Sequence, residues 1–414
     1  MKPCAILKMA ALAAGIAASL PVAAENIRIA YIDPLSGAFG PQGASMLQHL
    51  QYVADRANRE KWAGGNTFEF VGFDNKGSPQ DSLSQLKSAI DQGYRYITQG
   101  AGSGAGLALM DAVNKHNERN PGKEVLYLNH SAQDPDMTNS KCSFWHFRFL
   151  DNSDMKLEAL TTYMAKDPAI KSVYLIGQNY AYGQQISKSA RDYLAKKRPD
   201  IRIVGDDLHP IGQVKDFSPY IAKIKSSGAD VVLTGNWGPD FTLLIKAAKE
   251  SGLTVPFYAF SAIQYGAGTP VGENGVGRLK SMAPWHANIE GFQGADYVDG
   301  FRQKYKEDFF VMSSRTIVTM MAQAVKTAQS AEPLKVAYAL EGMKIAGPAG
   351  EIEMRASDHQ VQQALYIVDW AKVNGKDVKY DMENTGFGWK TGQKIDAFVA
   401  AQPTSCQMKR PARL

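Results

Sequence analysis

Cysteine and histidine are scarce in this sequence, with three cysteines and seven histidines among 414 residues. The histidines are scattered, no pair of them stands at the spacing of metal ligands, and no H-E-x-x-H segment occurs. Basic residues form no long run, so the usual sign of nucleic-acid binding is missing. No low-complexity linker is present either. We therefore expect a protein that holds no metal or other cofactor and binds no nucleic acid.

The sequence also lacks an apolar stretch of membrane-spanning length. The one notable apolar stretch, Met9–Leu20, is shorter than the roughly 20 residues that span a membrane. It follows two lysines and ends in small residues, which is the order of a secretory signal peptide. We expect this segment, 1–24, to be cleaved near Ala24/Glu25 and the mature chain to be exported to the periplasm. Its loss removes two lysines and no acid, which lowers the formal net charge from +5 to +3.

Two cysteines remain in the mature chain, Cys142 and Cys406. One cysteine pair in an oxidising compartment is more often a structural disulfide than a catalytic thiol. The sequence therefore favours a disulfide that fastens a C-terminal tail, 391–414, to the body of the protein.

Short β-rich runs alternate with longer helical patterns from Ile27 to Phe260, which predicts parallel sheets with right-handed crossover connections. The runs are too many for one open sheet of ordinary size, so we predict an α/β fold of two Rossmann-like lobes. After Leu279 come helical patterns and two strands of antiparallel character. The last part of the chain can therefore complete a lobe that the first part of the chain begins. The predicted segments are 25–148 with 281–346 for the N-terminal lobe and 149–280 with 347–390 for the C-terminal lobe.

An aromatic-glycine pair follows the first strand of each set, at Phe39-Gly40 and at Tyr182-Gly183. In open parallel sheets, ligands bind at the loops that follow the carboxyl ends of the strands. Two facing lobes would bring Phe39 and Tyr182 to opposite sides of one cleft. The alternative is that both are ordinary loop aromatics in front of a helix.

A glycine-rich turn, Gly100–Gly106, stands between a strand and a helix. Glycines let a ligand approach the backbone and a helix N-terminus attracts anions, so Gly102 and Ser103 are candidates for holding a small anion. The turn is not a dinucleotide fingerprint, because Ala105 stands where the last glycine is required. It is not a nucleophile elbow, because alanines flank Ser103 where glycines are needed. A tight turn with glycines for packing is the simpler alternative.

Polar residues follow two other strands. His130, Ser131 and Gln133 come directly after a strand of the first set and offer short hydrogen-bonding groups at the edge where a ligand would lie. His130 could act as a base or simply form hydrogen bonds. In the second set, Trp237 offers a flat apolar surface, and Asp240 either contacts a ligand or caps the helix that follows.

The order of these motifs resembles the leucine/isoleucine/valine-type periplasmic binding proteins that serve ABC importers. The resemblance covers nearly all of the mature chain and is carried by six groups of residues: Ile29–Gly37, Phe73-Asp74-Asn75 with Pro79 and Gln80, the Ser103 turn, Phe147-Arg148, Tyr182-Gly183 and Asp216–Pro219. It implies a type I periplasmic binding protein, with two Rossmann-like lobes joined by a three-segment hinge that close on a small ligand. It also implies an ABC permease in the inner membrane as partner, and a monomer.

The resemblance implies roles for individual residues and assigns none of them to catalysis. A serine at the position of Ser103 binds the ligand carboxylate, and Ser131 and Gln133 add hydrogen bonds. Aromatic residues at the positions of Phe39, Tyr182 and Trp237 form the wall around the ligand side chain. Further candidates in the same loops are Gly102, His130, Tyr180, Asp240 and Ser261.

One position departs from the family pattern. Amino-acid-binding members hold the ligand ammonium with a carboxylate after the strand that ends here at Phe260, but this chain has Ser261–Tyr265, which contains no acid. A buried ammonium without a counter-charge costs several kcal/mol. Either Asp240 or another acid replaces the missing carboxylate, or the ligand has no ammonium. An aromatic acid suits the second case, since Tyr180 and Trp285 add to the aromatic walls.

Three functions therefore stand open at this point. The leading one is a periplasmic substrate-binding protein without catalysis, whose ligand is a branched-chain amino acid or an aromatic or other organic acid. The second is a sensor or receptor module that reports the ligand to a partner without import. The third is a secreted hydrolase that uses Ser103 or His130, although no base–nucleophile arrangement is recognisable.

Overall fold

The computed structural model describes residues 24–413, so the predicted signal peptide lies outside the described residues except for Ala24. Within this range no helix combines the length and the apolar composition that crossing a membrane requires. Two large sheets organise the described chain, and each has a hydrophobic core on both of its faces.

The first lobe begins with alternating strands and helices that match the sequence pattern closely. The helix after Gly102 starts earlier than the periodicity indicates, because the glycines of the turn weaken the helical pattern without preventing the helix. The elements in chain order are β1 (Asn26–Asp33), α1 (Gly40–Arg59), β2 (Thr67–Asp74), α2 (Pro79–Asp91), β3 (Tyr96–Gln99), α3 (Ser103–Arg119), β4 (Leu126–Asn129) and β5 (His146–Arg148). All five strands are parallel, in the order β2-β1-β3-β4-β5.

The same alternation starts again in the second lobe. Its first helix begins where the side chain of Asn152 accepts a hydrogen bond from the backbone N–H of Met155 at 2.9 Å, as an N-cap does. The elements are α4 (Ser153–Met164), β6 (Ser172–Gln178), α5 (Ala181–Lys197), β7 (Arg202–His209), α6 (Ser218–Ser227), β8 (Val231–Thr234), α7 (Pro239–Glu250), β9 (Phe257–Ala259), α8 (Gly268–Val271) and β10 (Leu279–Ala283).

The last part of the chain completes both lobes. Three long helices pack on the first lobe and add many apolar side chains to its core. The elements are α9 (Ala295–Tyr305), α10 (Met312–Ala328), α11 (Pro333–Leu340), β11 (Lys344–Gly347), β12 (Gly350–Met354), β13 (Val361–Gln362), β14 (Leu365–Lys372), β15 (Phe387–Ile395) and α12 (Ala397–Ala400). Strands β11, β12 and β13 form a small antiparallel sheet beside the hinge.

The second sheet has the order β15-β14-β10-β9-β8-β6-β7, in which β14 runs antiparallel to both neighbours. The predicted two-lobed α/β architecture is confirmed. The predicted segment limits differ from the sheets at two strands, since 280/281 falls inside β10 and 390 falls inside β15. Residues 347–362 also belong with the first lobe, because Ile352, Met354 and Val361 are buried in its core. Periodicity marks strands but does not say which sheet each one joins.

The chain passes between the lobes at 149–152, 284–294 and 363–364, and the C-terminal tail makes a further connection. Helix α12 packs on α4 of the second lobe. Beyond it, the Thr404 hydroxyl donates to the carbonyl of Thr138 at 2.9 Å, and Cys406 forms a disulfide with Cys142 of the first lobe. This is the pairing that the sequence favours, and the tail therefore joins one lobe to the other.

Candidate functional site

A cavity of about 200 Å³ lies between the two lobes. Its walls come from the loops after β1, β3 and β4 in the first lobe and after β6, β8 and β9 in the second. A crevice outside the carboxyl ends of parallel strands is where open α/β sheets bind ligands. Because an apolar cavity of about 150 Å³ can hold benzene, this one has room for a small ring or branched side chain with a polar group.

The turn before α3 presents a hydroxyl and a helix N-terminus to this cavity. Gly102 has a φ of +90°, which favours glycine, and a Cβ on Gly100 would come within 2.5 Å of the His130 ring. Ser103 is the first residue of the helix, and its Oγ accepts a hydrogen bond from the backbone N–H of Asp134 at 3.3 Å. The Ser103 hydroxyl hydrogen therefore remains free to donate to an anionic ligand, which the helix N-terminus also attracts.

A buried carboxylate supports this turn from below. Asp33 is 1% exposed, and its Oδ1 accepts hydrogen bonds from the backbone N–H groups of Ala101 at 2.9 Å and Gly100 at 3.3 Å. Its Oδ2 lies 2.9 Å from Nε2 of His130, whose Nδ1 lies 2.9 Å from Oγ1 of Thr98. The sequence analysis did not identify Asp33, because its partners come from two other strands. Its position at the end of the first strand was the available signal.

Ten of the eleven residues that were expected at the site line the cavity. They are Phe39, Gly102, Ser103, His130, Ser131, Gln133, Tyr180, Tyr182, Trp237 and Ser261. Asp240 was wrong as a ligand-binding candidate, since it is fully buried and does not line the cavity. Its Oδ2 accepts hydrogen bonds from Gln178 Nε2 at 2.7 Å and from the backbone N–H of Gly212 at 2.8 Å, so it connects β6 to the loop after β7.

Nine aromatic side chains of the described chain line the cavity. Five of them were singled out in the sequence: Phe39, Tyr180, Tyr182, Trp237 and Trp285. The other four are Tyr31, Phe260, Tyr265 and Phe310. Burial raises the pKa of the Tyr180 and Tyr182 hydroxyls, so both stay neutral at physiological pH. The walls are thus aromatic, with a few placed polar groups, as in sites for small organic molecules.

The two lobes touch across the mouth of the cavity. The rings of Phe39 and Trp237, from opposite lobes, have centroids 4.6 Å apart, and Trp237 Nε1 donates to the Tyr180 hydroxyl at 2.8 Å. Beside them, Gln42 Nε2 of the first lobe donates to Gln264 Oε1 of the second at 3.2 Å. These contacts hold the lobes in a closed arrangement.

A buried lysine faces the cavity from the second lobe. Lys156, on α4, is 5% exposed and lines the cavity. Its Nζ donates to the backbone carbonyl of Phe260 at 3.0 Å and lies 3.4 Å from Oδ2 of Asp151. Sequence reasoning missed this residue because a lysine on a helix normally indicates the solvent face. The available signal was that apolar residues surround Lys156 on α4, with no clear polar face.

The sequence profile of the periplasmic binding protein family matches residues 26–377. The chain belongs to this family. A relative from Brucella melitensis, described as Leu/Ile/Val-binding protein homolog 4, is 29% identical and covers 97% of this chain and 97% of its own. The resemblance to the leucine/isoleucine/valine-type binding proteins of ABC importers is thereby confirmed. Membership of the family implies a periplasmic location.

Solved periplasmic binding proteins share the fold. The closed conformation of the leucine-, isoleucine-, valine-, threonine- and alanine-binding protein from Brucella ovis has a TM-score of 0.81 at 28% identity, covering 94% of this chain and 100% of that one. A solute-binding protein from R. palustris, in complex with 4-hydroxybenzoate, has a TM-score of 0.74 at 18% identity, covering 90% and 97%. The second likeness concerns the fold alone.

In this periplasmic binding protein, His130 is not placed to act as a base for Ser103. Both ring nitrogens of His130 lie against Thr98 and Asp33 rather than Ser103, so no serine–histidine hydrogen bond exists to activate the hydroxyl. Within residues 24–413 no group of three or more His, Cys, Asp and Glu side chains is placed to hold a metal ion. What the site offers is binding groups around a closed cavity.

Proposed function

We propose that this protein captures a small carboxylate-bearing solute by lobe closure and delivers it to the permease of an ABC importer in the inner membrane. The observation that carries the proposal is the Ser103 turn, where a free hydroxyl and the N-terminus of α3 face a cavity closed by both lobes. A ligand that bridges both lobes favours the closed form, and the permease would recognise that form.

We further propose that the solute is an organic acid without an ammonium group. Lys156 Nζ contacts the carbonyl of Phe260, directly before the position where amino-acid-binding members carry their ammonium-binding carboxylate. Asp33, the carboxylate lining the described cavity, already accepts two backbone hydrogen bonds and contacts His130. An ammonium would therefore find no free acid on this wall, because Asp151 is already the counter-charge of Lys156. The aromatic walls favour an aromatic ring as the body of the solute.

A branched-chain amino acid is the second candidate, for two reasons. The Brucella relatives are described as Leu/Ile/Val-binding proteins and homologues. In addition, both carboxylate oxygens of Asp151 are buried without a hydrogen-bond partner in the described chain, so Asp151 could accept an ammonium if Lys156 moved.

A thermal-shift screen separates the two ligand classes. Leucine, isoleucine and valine would be compared with benzoate and hydroxybenzoates at the same concentrations, because a ligand that binds only the folded state raises the melting temperature. We expect stabilisation by the aromatic acids and none by the amino acids. The opposite pattern would defeat the proposal of a ligand without an ammonium. Uptake of the stabilising acid by cells with and without this protein distinguishes import from sensing.

Replacing Ser103 with alanine tests the carboxylate end of the site. The Ser103→Ala variant loses a hydrogen bond to a charged group, which corresponds to about 1.5–3 kcal/mol, or roughly 10- to 150-fold in affinity. Calorimetry with the best acid from the screen measures the change. Ser84→Ala, an exposed serine on α2 of the same lobe, is the matched control and should bind normally. Equal affinity of Ser103→Ala and the unmodified protein would remove Ser103 from the site.

A further inference from the structure

A buried polar group of the cavity wall has no hydrogen-bond partner within residues 24–413. Tyr182, in the first turn of α5, is 3% exposed, and its hydroxyl has no hydrogen-bond partner among the described residues, although it lies near Ser261. A buried hydroxyl left unpaired costs free energy, so most buried polar side-chain groups are hydrogen-bonded. Because Tyr182 lines the cavity, a ligand can supply the missing partner.

Lys156 is incompletely satisfied at the same wall. Its ammonium carries three N–H groups, of which one donates to the carbonyl of Phe260. Asp151 lies at 3.4 Å as its counter-charge, but neither carboxylate oxygen of Asp151 accepts a hydrogen bond from any residue that the structure describes. Tyr182 packs with Phe260 in one core cluster of the second lobe, and Tyr182, Ser261 and Lys156 all line the cavity. Tyr182, Ser261, Lys156 and Asp151 therefore form one cluster, which we call the distal cluster.

The charge of the distal cluster limits what it can hold. The cation of Lys156 and the carboxylate of Asp151 cancel, so a second carboxylate on the ligand would leave one buried negative charge without a partner. A neutral oxygen, as in a hydroxyl or a carbonyl, can accept hydrogen bonds from Tyr182 or Lys156 without that cost. The Ser103 turn lies on the other lobe and takes the ligand carboxylate.

We infer that the distal cluster is a subsite for a neutral oxygen substituent, and that the solute is therefore a monocarboxylate with a hydroxyl or carbonyl group at its far end. This inference rests on the proposed function, since the Ser103 turn must hold the carboxylate. It narrows the ligand class from aromatic acids in general to oxygen-substituted ones. A ligand of this kind bridges both lobes with a polar group at each end.

Calorimetry with benzoate, 3-hydroxybenzoate, 4-hydroxybenzoate and terephthalate tests the subsite. We expect one hydroxybenzoate to bind about 10-fold more tightly than benzoate, and terephthalate to bind less tightly than that isomer. Tyr182→Phe keeps the ring and removes a hydroxyl that has no hydrogen-bond partner in the described part of the chain, so the fold should be unaffected. It should weaken the preferred hydroxybenzoate by roughly 2- to 10-fold more than it weakens benzoate.

A substitution of Lys156 must be combined with one of Asp151, because Lys156→Met alone leaves Asp151 buried without its counter-charge. The double variant Asp151→Asn/Lys156→Met removes the pair as a unit and should abolish the remaining preference for the hydroxybenzoate over benzoate. Tyr163→Phe, on the same helix as Lys156 but away from the cavity wall, is the control and should retain the full preference.

The outcomes separate the subsite from the proposed function. Benzoate and both hydroxybenzoates binding equally, or an unchanged ratio in Tyr182→Phe, would overturn the subsite while the capture of a carboxylate stands. Tighter binding of terephthalate than of either hydroxybenzoate would overturn the choice of a neutral oxygen. Failure of all four acids to bind would overturn the proposed function itself.

Discussion

Replacing Asp33 with alanine should destabilise the protein by about 2–6 kcal/mol, because two backbone N–H groups lose a buried acceptor and each unpaired buried group costs about 1–3 kcal/mol. The substitution takes the acceptor away from the backbone N–H groups of Gly100 and Ala101 and leaves His130 Nε2 without its contact. Gly100 and His130 are buried, so water cannot replace the carboxylate beside them at low cost. The Ser103 turn should lose its fixed geometry, and affinity for the preferred acid should fall as well.

Urea unfolding of the ligand-free protein measures this loss, with the slope of the transition checked for a change in the exposed surface. Asp33→Asn keeps the shape and one acceptor oxygen, so it should lie between alanine and the unmodified protein. Asp111→Ala is the control, since Asp111 is an exposed residue of α3 and its loss should cost less than about 0.5 kcal/mol. A cost below about 1 kcal/mol for Asp33→Ala would show that the turn is held by other contacts.

Removing the disulfide should give the second large effect. Cys142 and Cys406 are 264 residues apart in sequence, and closing so long a loop lowers the entropy of the unfolded chain by an amount that corresponds to about 5.6 kcal/mol in the chain-entropy treatment. We expect the double variant Cys142→Ser/Cys406→Ser to unfold at a clearly lower urea concentration than the oxidised protein. Ligand affinity should change little, because neither cysteine lines the cavity.

Reductant supplies the control for this prediction. Dithiothreitol should lower the stability of the unmodified protein to that of the double variant and should leave the double variant unchanged. If the oxidised protein and the double variant unfold at the same urea concentration, the bridge contributes no net stability. The hydrogen bonds of Thr404 and Arg410 would then be sufficient to hold the tail.

The regular part of the fold could be predicted because its sequence signals are local. Helix α1 begins and ends at Gly40 and Arg59, as the pattern indicates, since a Gly-Pro start and a single apolar face mark it. Strand β5 was missed because its three residues are too few to show a period. Strand β15 was missed because lysine, glycine and glutamine interrupt its alternation.

Some residues of the candidate site could likewise be predicted from local sequence signals, and others could not. Ser103 and Tyr182 could be identified because loops after parallel strands gather at one edge, and the strands themselves were predictable. The roles of Lys156 and Asp33 could not be identified in this way, because they depend on partners that only the folded chain brings near. Asp240 was considered for a ligand contact since its helix starts at the right edge, yet its carboxylate turns inward to Gln178 and Gly212.

The C-terminal tail has a mechanical consequence for how a solute enters. The chain from Ala400, buried against the second lobe, to Cys406, bonded to the first, can reach at most about 22 Å when fully extended. This tether sets an upper limit on the separation of the two lobes along that edge. Any wider opening must come from a rotation of the lobes about this tethered edge. The solute would then enter and leave from another side of the cleft.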